Sequence, residues 1–217
     1  TGRNFVARTI ADCMVFENKI YREWLVVDSM AQIKQIGLDP QDYAENLAQG
    51  YFDKGLLSID IGENGRLSGQ YPPEAKPDLE IAHNDLEEQV LIWLNDIHNR
   101  RMFGKINEVY APTIQYHGPL MKELYGQAAV IHQTVGFYAS IPDGHFMPQH
   151  ICSVPCGILE DLGAPTGKRV QVMGMTHLHI RDGRIVDEWV NYDEMSILMQ
   201  VKLAQMADRP SAVLPEA

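Results

Sequence analysis

Lys19-Ile20-Tyr21-Arg22-Glu23-Trp24 and Arg184-Ile185-Val186-Asp187-Glu188-Trp189 line up without a gap, 165 positions apart (189 − 24 = 165). The match extends both ways. Thr1-Gly2-Arg3 falls on Thr166-Gly167-Lys168, and Asp28, Met30 and Gln35 fall on Asp193, Met195 and Gln200. One constant offset that keeps Trp, Asp, Met and Gln in place is the signature of duplicated structure. Both copies read alike. Strand-forming residues run to a tight turn (Glu17-Asn18-Lys19, Arg181-Asp182-Gly183), resume through the Trp and give way to a helix near the Asp. Folding sequence precedes the second copy and none precedes the first. On the repeat logic, a complete first copy needs roughly 80 further residues before Thr1.

The 217 residues suit one large or two small domains. A hydrophobic fraction of 45% and a charged fraction of 22% are ordinary for a globular protein. The net charge of −11 argues against nucleic acid or an anionic membrane as partner, since both reward clustered Lys and Arg. No apolar run reaches the roughly 18–20 residues of a membrane span. Three cysteines (Cys13, Cys152, Cys156) do not make a disulfide framework, so a reducing cytoplasm is expected. His150, Cys152 and Cys156, or His177 and His179, are fragments of a zinc pattern. A strong zinc signature pairs two close-spaced sets, so no metal site is predicted.

Residues 1–40 read as the C-terminal part of a first domain, 41–83 as a linker, 84–205 as a second domain and 206–217 as a tail. The linker holds a short helical piece, Asp42 to Gln49, then a Gly- and Pro-rich stretch. Asn84 or Asp85 caps an amphipathic helix carrying Leu86, Val90, Trp93, Leu94 and Ile97 at helical spacing. Ile106 to Tyr110 predicts a short helix, Thr113 to His117 a strand and Gly126 to Ala139 a helix. A hairpin over Arg169 to Tyr192 precedes a last helix. Helices first, then an antiparallel meander, then a helical tail describe an α+β fold with helices on one face of a curved sheet. A cavity under those helices is the natural ligand site.

Alternation along the last strand puts Asp187, Trp189, Asn191 and Asp193 on one face; Met175, His177 and His179 share a face of its partner. A carboxylate beside a His in an apolar pocket can move protons and stabilise an oxyanion. Asp193 and Asp28 read also as N-caps of the helices that follow them. Trp24 and Trp189 read first as core. Trp93, Tyr116, His117 and His132 sit on elements that can line the cavity.

Pro165-Thr166-Gly167-Lys168, Gly174-Met175-Thr176-His177 and Asp182-Gly183-Arg184-Ile185-Val186-Asp187-Glu188-Trp189 with Asp193 resemble the SnoaL-like polyketide cyclases of the NTF2-like superfamily. The resemblance covers roughly residues 84–205, with a partial second copy over 1–40. It implies a cone of helices on a curved sheet around an apolar pocket, a small apolar or polycyclic ligand, no cofactor and a homodimer. It maps a general acid/base onto Asp193 and an assisting His onto His179, with His177, Trp189 and Asn191 in the pocket. The implied chemistry is aldol-type cyclisation or isomerisation of a polyketide-like carbonyl compound. In the first copy Asp28 and Trp24 are kept, Met14 replaces the His, and Asp12 stands opposite His177, so that copy is expected to be inactive. Between His145 and Pro165 the chain is shorter than the family pattern. The rival reading is a non-catalytic ligand-binding or assembly module on the same cone. The Asp-Arg-Asp set of an epoxide hydrolase is not found.

Overall fold

The computed structural model describes residues 2–56, 77–141, 144–148, 150–151, 170 and 172–207. A first hairpin pairs β1 (Thr9–Phe16) with β2 (Lys19–Val27). Its turn residues Glu17 and Asn18 adopt φ of 49° and 58°, the left-handed pair of a two-residue turn that matches strand twist. Asp28 then caps α1 (Ser29–Gln35), its Oδ1 accepting the Ala31 N–H at 3.0 Å. Asp39 caps α2 (Pro40–Phe52), with Pro40 at its first position, where a missing N–H costs nothing. This helix is longer than the expected 42–49 piece. Its fully buried Ala44 and Ala48 lie against Met195, Met199, Leu203 and Met206, so the start of the supposed linker is packed structure.

The second unit begins at α3 (Asp85–Leu94), capped by Asn84 through the Glu87 N–H at 3.0 Å. A π-helical turn (Asn95–Asn99) and a 3-10 turn (Phe103–Lys105) lead through α4 (Ile106–Val109) into β3 (Tyr110–Gly118). Then come β4 (Lys122–Tyr125), α5 (Gln127–Ser140), β5 (Gly174–Arg181), β6 (Arg184–Tyr192) and α6 (Glu194–Ala207). The strand order is β4-β3-β6-β5.

Two features differ from expectation. β4 is extra; Leu120 and Met121, at φ of 58° and 56°, make a tight turn that reverses the chain after Pro119. The sheet is mixed rather than an antiparallel meander, because β3 runs parallel to β6, with Gln115, Tyr116 and His117 opposite Asp187, Glu188 and Trp189. A parallel pair needs a long crossover, and the chain between β3 and β6 holds β4, α5 and β5.

The two faces of the sheet have different cover. Tyr116, Leu178, Val190 and Tyr192 pack with Val90, Leu94, Ile97 and Val130 in the main core beneath α3 and α5. Met175 and Trp189, on the opposite face, meet Ile10, Trp24 and Val26 of the first hairpin. Asn191, fully buried, donates from Nδ2 to the backbone carbonyls of Arg8 (3.1 Å) and Val26 (2.7 Å). The Arg8 guanidinium reaches Glu123 at 2.9 Å and the Gly118 carbonyl. The hairpin is therefore pinned to the outer face of the sheet. Among the described residues no helix is long and apolar enough to cross a membrane.

Candidate functional site

β5 is the edge strand of the four-stranded sheet, and a cleft wraps around it. Its walls are α3 (Val90, Leu91, Leu94), Phe146, Pro148, His150 and Ile151, β5 from Met175 to Leu178, and Ala11 and Asp12 of the first hairpin. The cavity volume is about 70 Å³, room for roughly five waters at the ~10–15 Å³ each requires. That space fits one ring or a short chain; the rest of a larger ligand would lie toward the open side.

The lining is apolar except for four groups. Asp12 Oδ2 and His150 Nδ1 are 2.8 Å apart, and His150 stacks on Trp24 with ring centroids 6.4 Å apart. His177 is half-buried. Burial pulls its imidazole below the ordinary 6.5, and the Asp12 charge opposes that shift without cancelling it. Taking a charged imidazole out of water costs more than this neighbour returns, so burial favours the neutral form of His177. Thr176, fully buried, has an Oγ1 with no hydrogen-bond partner among the described residues. A buried hydroxyl without a partner is expensive; this one faces the inner side of the sheet, on the opposite side of β5 from His177.

The expected Asp193–His179 pair is not formed. Asp187 lies opposite His179, and its Oδ2 is 2.8 Å from His179 Nδ1 on the outer face. Six residues of strand separate Asp187 from Asp193, about 20 Å at 3.3 Å per residue. Twist does not close that gap. Asp193 caps α6, its Oδ1 accepting the Ser196 N–H at 3.0 Å. Burial raises its carboxyl pKa above the ordinary 3.8; the Ser196 and Met195 amides pull it down, and the nearby Asp28 charge adds a smaller upward push.

The remaining predicted pocket residues scatter. Of the set, His177 alone lines the cleft. Trp189 packs between the hairpins with Trp24 and stacks on His117 at 5.0 Å; His117 also hydrogen-bonds Glu123. Asn191 is the fastener described above. Tyr116 is in the core and Trp93 packs against it. His132 is on the exposed side of α5. Asp28 is buried as the cap of α1.

Residues the sequence reading passed over include Thr176, which a period of two would have turned inward, and His150, considered only as a zinc fragment. Asp12 stands opposite His177 in the repeat, and both reach one cleft. A second polar group lies under α3. The π-helical turn aims His98 inward, where its Nδ1 is 3.2 Å from the Tyr138 hydroxyl and its ring stacks on Phe146 at 5.1 Å. No group of three or more His, Cys, Asp or Glu side chains among the described residues is placed to hold a metal ion. Cys152 and Cys156 lie outside those residues.

Residues 88–201, more than half of the chain, match the family described as SnoaL-like polyketide cyclase. Solved structures with a similar fold include IdmH, a putative polyketide cyclase from Streptomyces antibioticus. It is 20% identical, covers 53% of this chain and 97% of its own, and has a TM-score of 0.45. A SnoaL-like polyketide cyclase from Agrobacterium tumefaciens str. C58 is 18% identical over 55% and 99%, with a TM-score of 0.44. AclR, a putative hydroxylase from Streptomyces galilaeus, is 21% identical over 57% and 87%, with a TM-score of 0.42. No curated protein matches the chain. On the family match over residues 88–201, this chain belongs to the SnoaL-like polyketide cyclase family.

Proposed function

We propose that this protein is a small-molecule enzyme that moves a proton on a carbonyl compound in the β5-edge cleft, with His177 as the acid/base. Family membership supports a cyclase or isomerase role in general terms. The observation that carries the finer reading is a half-buried imidazole, its neutral form favoured by burial, on an otherwise apolar cleft wall. An imidazole that gives up its proton more readily than an exposed one can take a proton from a carbon and hand it on.

The proposed step balances. His177 takes a proton from the carbon beside the ligand carbonyl, the C–H electrons form the enolate, and the imidazolium faces Asp12. In an isomerisation the imidazolium returns the proton to a different carbon. In an aldol closure the enolate carbon bonds to a second carbonyl carbon, whose oxygen takes the proton. Neither route consumes a cofactor. The substrate class this favours is an aryl or polyketide-like ketone whose reacting ring enters the cleft.

A second reading keeps Asp193 as the acid/base. It is favoured by the burial-raised carboxyl at the end of β6. Deuterium incorporation at the α-carbon of a bicyclic aryl ketone such as α-tetralone, followed by NMR in D₂O, separates the two. The expected result is enzyme-accelerated exchange that falls about 10²–10⁴-fold in His177→Asn and persists in Asp193→Asn. Loss in Asp193→Asn, with its fold intact, would transfer the role to Asp193. No acceleration by the wild-type protein would favour a binding module.

A further inference from the structure

The family match over residues 88–201 does not reach the first hairpin, yet that hairpin supplies one wall of the cleft through Ala11 and Asp12. The packing of the two hairpins explains this. Ile10, 4% exposed, shares a cluster with Met175 of β5. Side chains alternate along a strand, so Asp12, two residues on, leaves β1 on the same face as Ile10 and comes out at the cleft. Asp12 and His177 hold corresponding positions (177 − 12 = 165), and each lies opposite the Trp of its own hairpin, Asp12 opposite Trp24 and His177 opposite Trp189. One strand position therefore carries a carboxylate in the earlier hairpin and an imidazole in the later one, and both line one space.

The carboxylate is held in place. Its Oδ2 is 2.8 Å from His150 Nδ1, and the His150 ring lies over Trp24 with 21° between the ring planes. Among the described residues no other hydrogen bond to the Asp12 side chain is formed. A carboxylate offers about four lone-pair sites and no donor, so one bond to His150 leaves most of its capacity to solvent. The side chain is 28% exposed. Its neighbours on the cleft wall, Leu91, Pro148 and Ile151 among them, are apolar. A ring that enters here displaces water from the carboxylate. Those bonds are recovered only if the ring brings a donor of its own to that end of the cleft.

We propose that Asp12, oriented by His150, is a specificity-determining residue that accepts a hydrogen bond from a hydroxyl on the ligand ring, so that the cleft selects hydroxylated aryl ketones. The inference rests on placing the ligand in the β5-edge cleft. The two hairpins then divide the work. The later one holds the acid/base beside the reacting carbon, and the earlier one reads the ring for a phenol.

The test compares hydroxy-α-tetralones, with the phenol at each aromatic position in turn, against their methyl ethers. An ether fills similar space and donates nothing. Dissociation constants come from NMR titration of the full chain. At least one hydroxy isomer is expected to bind about 10-fold tighter than its ether, because hydrogen bonds to a charged acceptor are stronger than neutral ones; solvent access keeps the ratio below that of a dry site. In Asp12→Ala the ratio for that isomer is expected to fall to about one. The ratio is blind to a general loss of affinity. In the wild-type complex, NOEs from the ring protons flanking the hydroxyl should fall on the Ala11 methyl and the His150 ring. Ratios near one for every isomer, with α-tetralone itself bound in the cleft, overturn this proposal and leave the cleft reading standing. A preference that survives in Asp12→Ala also overturns it. Failure of every ketone to bind overturns both. Should Asp12→Ala not fold, the NOEs decide: contacts at Ala11 and His150 support the proposal, and contacts confined to α3 and Phe146 overturn it.

Discussion

The hairpin at residues 9–27 and the hairpin at residues 174–192 share turn geometry, strand length, irregularity and helix cap. They do not share surroundings. The later one has helices over its inner face and a strand at its edge; the earlier one has the other hairpin on one face and, among the described residues, no third strand. Local structure is thus written in local sequence, while burial is set by what packs on top. The same difference sorts the polar residues. Asp12 and His177 are counterparts, yet their different chemistry gives the cleft a carboxylate on one wall and, on another, an imidazole whose neutral form burial favours.

The sharpest way to break this comparison is a matched pair of substitutions. Val190→Asp places an uncompensated carboxylate in the core and is expected to cost several kcal/mol, about 4 or more, enough to unfold a marginal domain. Leu25→Asp at the counterpart position is expected to stay within about 0.5 kcal/mol. Thermal melts of both variants check the contrast; equal losses would mean that β2 is covered. Next in size is Asn191→Ala, which strips the hydrogen bonds to Arg8 and Val26. A loss of about 1–3 kcal/mol is expected, with faster exchange at β1 and β2 before β5 and β6 respond.

pH separates the two candidate proton carriers by sign. His177 titrates below 6.5 in the fold, so between its folded value and 6.5 the unfolded chain holds more protons and its contribution to stability rises with pH. Asp193 titrates above 3.8 in the fold, so from 3.8 upward the folded chain holds more protons and its contribution falls as pH rises. Denaturant midpoints of His177→Asn and Asp193→Asn against wild type, from pH 3.5 to 7, should each lose one of these slopes. The smallest effect is expected at His179→Ala. Its partly exposed pair with Asp187 is worth under about 1 kcal/mol, and α-carbon exchange should be unchanged.

Much of the fold is legible in the sequence because it is local. Asn84 before an acidic first turn, Asp-Gly between two strand-like runs and the constant offset place α3, both hairpins and α6. The unread parts depend on partners distant in sequence. β4 is four residues long after a turn at Leu120 and Met121, and nothing nearby in sequence reports the parallel pairing of β3 with β6. The site was less legible for the same reason. Alternation correctly groups Met175, His177 and His179, but which face the core covers is a tertiary fact. The β5–β6 register sets His179 against Asp187 and leaves Asp193 to the helix cap. His150 carries no local signal at all; its role follows from Asp12 reaching across from the other hairpin.

The most direct test is to locate a bound aryl ketone on the protein. Intermolecular NOEs from α-tetralone to assigned side chains should fall on Val90, Leu94, Met175 and His177, with the α-carbon beside His177. NOEs to Asp193 and α6 instead, or to the main core around Tyr116 and Tyr138, would contradict the placement of the reaction in the β5-edge cleft.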